Sequence, residues 1–263
     1  MALDGKVCVV TGSGSGIGRA AAEEMARQGG KVVVSDVNDA NGQATLEAIT
    51  SAGGEAVYIR ADMRSNDDVL ALMQGAVDRF GRLDVLHANA GIHESDLTTQ
   101  MTVQDLPIDA WDTLMDINLK GVWLCARAAF PHMRDSGGGS IVNAGSTASI
   151  MGYPNCPAYT TAKHGIVGLT KCMAIDFAKA EIRANCYCPA SVDTQMVSKF
   201  YEAAEDPEMV KTFMTASHLF PKRLGRPDEI AKLVCFLASD DASFINGAAF
   251  LIDGGSLAWR GIE

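Results

Sequence analysis

Positive charge is scarce in this chain. Its 22 Lys and Arg face 32 Asp and Glu, giving a formal net charge of −10 over 263 residues. That balance argues against nucleic acid or an anionic membrane as the main partner. No apolar run approaches the length of a membrane span. Met1 to Lys6 shows no basic region followed by an apolar stretch, so no secretory signal is expected. The seven cysteines (8, 125, 156, 172, 186, 188 and 235) form no CxxC pair and no zinc-type spacing. They read as reduced core thiols of a cytoplasmic protein. Cys186 and Cys188 lie two apart on one face of a predicted strand, which disfavours a normal disulfide between them. The five histidines form no HExxH, so no metal is expected. Arg19 follows Gly18 and no Gly-Lys-Ser/Thr occurs, which argues against a kinase-like phosphate loop.

With 48% apolar and 21% charged residues, the composition is that of a globular chain large enough to bury a sizeable core. Strand-like runs alternate with helix-length amphipathic segments. Strands are expected over 6–11, 31–36, 56–61, 83–88, 140–144, 182–187 and 248–252. Helices are expected over 16–28, 40–51, 66–80, 108–134, 158–180 and 227–238. Val7-Cys8-Val9-Val10 and Val32-Val33-Val34 are apolar on both faces, as strands of a parallel sheet covered on both sides are. The pattern predicts an α/β fold: one doubly wound Rossmann domain spanning 1–263, with a parallel seven-stranded sheet and helices on both faces. No linker or repeat interrupts it. The strand-poor stretch 190–226 reads as a lid at the strand C-termini.

Thr11-Gly12-Ser13-Gly14-Ser15-Gly16-Ile17-Gly18 follows the first strand and opens the first helix. Gly12 suits a tight turn, Gly16 a close approach to pyrophosphate, and Gly18 close helix–strand packing. The helix N-terminus offers free N–H groups to phosphates at Ser15, Gly16 and Ile17. Asp36 ends the second strand and is placed to accept from the adenosine ribose hydroxyls. It would repel a 2′-phosphate. Without Lys or Arg between Gly12 and Gly16, NAD is favoured over NADP. Asp62, at the end of the third strand, is a candidate acceptor for the adenine amino group.

Tyr159 and Lys163 stand four apart, on one helix face. A cationic amine beside a phenol favours phenolate, so the tyrosine pKa is expected to fall towards the working pH. The resulting picture is a hydride-transfer site in which nicotinamide is held and an alcohol proton is moved. In these motifs the chain resembles the short-chain dehydrogenase/reductase family. The resemblance covers Thr11–Gly18, Asn89-Ala90-Gly91, Asn118, Ser146 thirteen residues before Tyr159, Pro189 to Thr194, Gly225-Arg226-Pro227 and Asp253-Gly254-Gly255. It implies Tyr159 as general acid/base, Ser146 positioning the substrate oxygen, and Lys163 serving both tyrosine and nicotinamide ribose. It further implies Asn118 holding a water that links Lys163 to solvent, Asn89 beside the cofactor, and Val192 and Thr194 on the carboxamide. It also implies a homotetramer, to which the small-residue faces of the two long helices lend themselves.

Two positions depart from the family pattern. Ala190 stands where glycine is usual and would be strained if φ were positive. Ala88 replaces the first asparagine of the common NNAG and removes a possible sheet-supporting hydrogen bond. Substrate walls are expected from 93–106, 150–156 and 195–220, with Met196, Phe200, Tyr201, Met209, Phe213 and Met214 divided between core and pocket. The apolar bias suggests a secondary alcohol or ketone with a hydrophobic body. His93, Glu94 and Asn155 read more readily as solvated loop residues than as contacts for a polar substituent. A Rossmann methyltransferase and a non-catalytic NAD-binding protein are the competing readings. The glycine spacing and the Ser146/Tyr159/Lys163 set oppose the first, and the presence of both Tyr159 and Lys163 opposes the second.

Overall fold

A computed structural model describes residues 1–202 and 204–258. Seven parallel strands run β1 (Val7–Thr11), β2 (Lys31–Ser35), β3 (Glu55–Tyr58), β4 (Val85–Ala88), β5 (Gly139–Ala144), β6 (Ile182–Pro189) and β7 (Ala249–Ile252). Their spatial order is β3-β2-β1-β4-β5-β6-β7. The order reverses between β1 and β4, and at such a switch point a crevice opens outside the strand C-termini.

The alternation within each strand decides which layer a residue enters. Val7, Val9 and Val33 point to one face, where they meet helices α3 (Asn66–Phe80), α5 (Gly121–Asp135) and α6 (Pro157–Asp176). Cys8, Val10, Val32 and Val34 point to the other, against α1 (Gly16–Arg27) and α9 (Pro227–Ala238). Ile49 of α2 (Asp39–Ser51) joins this second cluster. Both faces of the sheet are thus covered, as the continuous apolar runs required. Cys186 and Cys188 are buried, with sulfurs 3.9 Å apart and unbonded. No helix among the described residues is long and apolar enough to cross a membrane.

The expected helix 108–134 is broken. α4 (Ile108–Met115) passes into a π-helical turn, Asp116–Lys120, before α5 begins. The wider turn places Asn118 inside, and such bulges recur where a helix positions a functional side chain. The second long helix ends at Asp176, and a 3₁₀ turn, Ala178–Ala180, leads into β6. Strands β3 and β4 are shorter than expected and β6 is longer. The stretch 190–226 holds two short helices, α7 (Gln195–Glu202) and α8 (Pro207–Thr215), pinned at its base by a bridge between Val192 and Gly225.

The two departures resolve differently. Ala190 has no positive φ, so alanine is unstrained there. Asn143, the register partner of Ala88 on β5, keeps its Oδ1 buried without a partner, consistent with the lost hydrogen bond. Gly18 carries the tightest requirement near the crevice: a Cβ there would lie 2.2 Å from the Gly12 carbonyl oxygen and 2.5 Å from Asn89 Nδ2. Gly18→Ala is therefore expected to destabilise the fold by about 1–3 kcal/mol, the usual cost of overpacking. Thermal and urea unfolding would read it, and a wild-type midpoint would refute it.

Candidate active site

One cavity of about 380 Å³ lies at the switch point. It is lined at one end by Gly12, Ser15, Gly16, Ile17, Asp36 and Asp62, and at the other by Ser146, Tyr159 and Lys163. Asn89, Val192 and Thr194 line it as well. Of the catalytic and cofactor residues expected from the sequence, only Gly18 and Asn118 stand behind this wall rather than in it.

The nucleotide end is held by the chain's own backbone. Thr11 Oγ1 accepts from the N–H groups of Asn89 and Ala90 at 3.0 and 3.1 Å. Asn89 Nδ2 donates to the carbonyls of Thr11 and Gly12 at 3.0 and 3.1 Å. This ties the glycine loop to the loop after β4. Gly16 has φ +54°, and a Cβ there would approach Thr194 Cγ2 to 3.1 Å. At the N-terminus of α1, Ser15 makes no side-chain capping bond, and the first turn has no acidic residue. Unspent N–H groups at a helix start, facing a cavity across glycine, fit the pyrophosphate of a dinucleotide.

Asp36 accepts from the Gly14 N–H and, through its other oxygen, from the Asn38 N–H, both at 2.9 Å. Its carboxylate is thereby fixed over the loop, with lone pairs left for hydroxyls. Asp62 is less free, because Arg64 donates to it through both side chain and backbone. The Arg64 hydrogen bond holds its carboxyl below the ordinary range.

At the chemical end, Ser146 sits in extended backbone just past β5, and its Oγ accepts from the Ala148 N–H at 3.1 Å. Tyr159 and Lys163 project from the first turns of α6. Lys163 is buried; its Nζ donates to the Ala144 carbonyl at 2.7 Å and lies 5.4 Å from the centre of the Tyr159 ring. The expected fall of the tyrosine pKa is not what the chain alone produces. Burial pushes the Tyr159 phenol up to about 12, while Ser146 pulls it the other way. Burial also brings Lys163 down to about 8. Desolvation dominates in this geometry because the charged forms of both groups lose water together.

Asn118 is fully buried on the π turn and clamps Ile92. Its Oδ1 accepts from the Ile92 N–H at 2.9 Å and its Nδ2 donates to the Ile92 carbonyl at 2.8 Å. Its visible work is to fix the loop after β4 beside Lys163. Sequence reasoning missed Tyr187, which lines the cavity and donates to Asn89 Oδ1 at 3.3 Å. A tyrosine inside an apolar strand gives no signal of this.

Glu94 is not a solvated loop residue. It is 1% exposed, and its Oε1 accepts from the Tyr159 N–H at 2.7 Å. A carboxylate from a distant loop thus caps the helix that carries Tyr159. The His93 ring stacks on Tyr159 at 5.3 Å and meets Phe200 of α7 edge-on at 5.4 Å. Asn155 is exposed in a left-handed conformation that asparagine tolerates. The apolar residues of 195–220 divide in a way the sequence did not show. Met196 lines the cavity and Tyr201 is buried, while Phe200, Met209 and Phe213 are exposed in the chain alone.

A family model described as enoyl-(acyl carrier protein) reductase matches residues 12–256. Cyclohexanol dehydrogenase of Acinetobacter sp. (strain SE19) is 38% identical over 252 residues, covering 96% of this chain and 95% of the relative. The chain belongs to the short-chain dehydrogenase/reductase family. Cis-4-hydroxycyclohexanecarboxylate dehydrogenase of Sinomonas cyclohexanicum is 40% identical over 253 residues, covering 96% of this chain and 97% of its own. The crystal structure of levodione reductase superposes with a TM-score of 0.91 at 34% identity, covering 98% and 100% of the two chains. This dehydrogenase is therefore an oxidoreductase acting on CH–OH groups and their carbonyl counterparts.

Removing the Asn118 amide would leave the half-buried N–H and C=O of Ile92 without these partners. Asn118→Ala is expected to cost about 1–3 kcal/mol per stranded group and to raise hydrogen exchange in residues 90–94. Unchanged exchange there would show that the clamp is dispensable.

Proposed function

We propose that this enzyme interconverts a secondary alcohol and a ketone by hydride transfer to and from NAD, with Tyr159 as the general acid/base. The observation that carries the reading is a single cavity joining an uncapped helix N-terminus and Asp36 to Ser146, Tyr159 and Lys163. Bound NAD would supply the hydride acceptor and, in its oxidised form, a positive ring charge. Gly12, Ser15, Gly16, Ile17, Asn89, Val192 and Thr194 would hold it, with Asp36 on the adenosine ribose.

In oxidation the substrate hydroxyl would lie between Ser146 and Tyr159. Ser146 fixes the oxygen, and ionised Tyr159 takes its proton as hydride leaves the carbon. In reduction the neutral phenol returns the proton. Lys163, anchored on the Ala144 carbonyl, holds a cation behind the phenol once the oxyanion forms. The chain reads as one catalytic domain, with 190–226 closing over substrate.

The sequence relatives named for cyclohexanol and a hydroxycyclohexanecarboxylate, together with the mixed apolar wall, favour an alicyclic alcohol or ketone. We place the enzyme in the cytoplasm, where seven free thiols stay reduced. We also propose a homotetramer built through α5 and α6, where Trp123 and Ile175 stand exposed in the chain alone. A monomer in sedimentation equilibrium would refute that assembly.

Tyr159→Phe keeps the ring and removes the proton carrier. kcat should fall by about 10²–10⁴-fold, the range for loss of general acid/base catalysis, with the NAD dissociation constant nearly unchanged. Near-normal turnover with intact NAD binding would overturn the assignment.

The phenol must be ionised for oxidation and protonated for reduction. Oxidation should therefore accelerate as pH rises towards the phenol pKa, and reduction should slow across the same range. A pH-independent oxidation rate would count against Tyr159. For the cofactor, kcat/KM with NAD should exceed that with NADP, and Asp36→Ala should narrow the gap; a clear NADP preference in the wild type would reverse the reading.

A further inference from the structure

Three chemically different ligating atoms converge beside the catalytic helix. His93 Nε2 lies 3.2 Å from Cys156 Sγ and 3.5 Å from Glu94 Oε2. The donor atoms of all three residues fall within 4.8 Å of one another. Glu94 is 1% exposed, and its Oε2 is buried with no hydrogen-bond partner. A desolvated carboxylate oxygen left unpaired is costly, and a bound cation is one way to satisfy it.

We propose that His93, Glu94 and Cys156 form a binding site for a thiophilic divalent cation of the zinc class, which fastens the loop after β4 to the start of the Tyr159 helix. Zinc bonds of about 2.0–2.3 Å to N, O and S imply tetrahedral edges of about 3.3–3.6 Å between ligand atoms. The His93–Cys156 and His93–Glu94 edges, at 3.2 and 3.5 Å, already lie close to that range, and the third is no longer than 4.8 Å.

The carboxylate divides its work without conflict. Oε1 stays on the Tyr159 N–H at 2.7 Å while Oε2 turns to the metal. With Nε2 on the metal, the ring proton moves to Nδ1, where Ser95 Oγ accepts it at 3.1 Å. That is the outer-shell support usual for a metal-bound histidine. The Ser95 N–H that now faces Nδ1 sits at an exposed position and can turn to water. Ligation displaces the Cys156 thiol proton, so affinity should rise with pH. The site supplies three protein ligands and leaves a fourth position for water. Its ligands come from residues 63 apart in the chain, which is why histidine and cysteine spacing gave no sign of it.

The test uses the full-length protein without cofactor or substrate, so it stands apart from the hydride-transfer reading. Cobalt(II) titration should give one equivalent of binding with a thiolate-to-cobalt charge-transfer band, displaced by zinc. Zinc should raise the melting temperature of the wild type by mass action. Cys156→Ser should abolish the band. His93→Asn and Glu94→Gln should each weaken zinc by at least about 10–100-fold, the cost already seen for losing an outer-shell partner. Glu94→Gln keeps an acceptor for the Tyr159 N–H, so it tests ligation without uncapping the helix, and circular dichroism would confirm its fold. Cys172→Ser, at an exposed cysteine, should leave the band intact. Absence of one-equivalent binding in the wild type would overturn the proposal. So would a band that survives Cys156→Ser and disappears with Cys172→Ser.

Discussion

The close contact between the glycine loop and the loop after β4 governs the rest of the structure. Gly12, Gly18 and Asn89 meet there with no room for a Cβ at Gly18, and Asn89 spends its amide on the carbonyls of the glycine loop. Two parallel strands that diverge at their C-termini would otherwise leave backbone groups unpaired at the crevice. The contact pairs them and keeps the start of α1 open. Everything beyond it is placed relative to that edge: Asn118 grips Ile92, and Glu94 in the same loop reaches the N-terminus of α6.

That chain of contacts makes the loop after β4 a coupling between the two halves of the site. Residues 89 to 94 touch the glycine loop at one end and the start of α6 at the other. The same loop meets α7, because the His93 ring lies between Tyr159 and Phe200 and Lys199 pairs with Asp96. A change in any one of these elements therefore has a short path to the phenol. Exposed ion pairs such as Lys199–Asp96 contribute little by themselves, so the shielded links in this path are the aromatic contact and the buried carboxylate.

The electrostatics of the chemical end follow from burial rather than from the Tyr–Lys pair. A phenol held near 12 and an amine held near 8 are both pushed towards their neutral forms. The phenol is not set for base catalysis in the chain alone. A positive charge brought into the cavity would stabilise the phenolate, so readiness for proton transfer is expected to come with the occupied site.

The order of elements, the parallel sheet, and the glycine loop, Asp36, Ser146, Tyr159 and Lys163 of the cavity wall were legible in the sequence, because apolar runs, helical patterns and the glycine spacing are local properties of the chain. Tyr159 and Lys163 share a face for the same reason, since four residues make about one turn wherever a helix forms. The break in the helix at Asn118, the buried capping role of Glu94 and the phenol's upward shift were not legible. Each depends on what lies across space: a π turn set by packing, a loop carboxylate brought to a helix it does not precede, and water excluded by residues far away in sequence. The His93–Glu94–Cys156 cluster belongs to that second class. Local pattern fixes which elements form and which way their side chains face; only their assembly decides which polar atoms lose water and which find a partner.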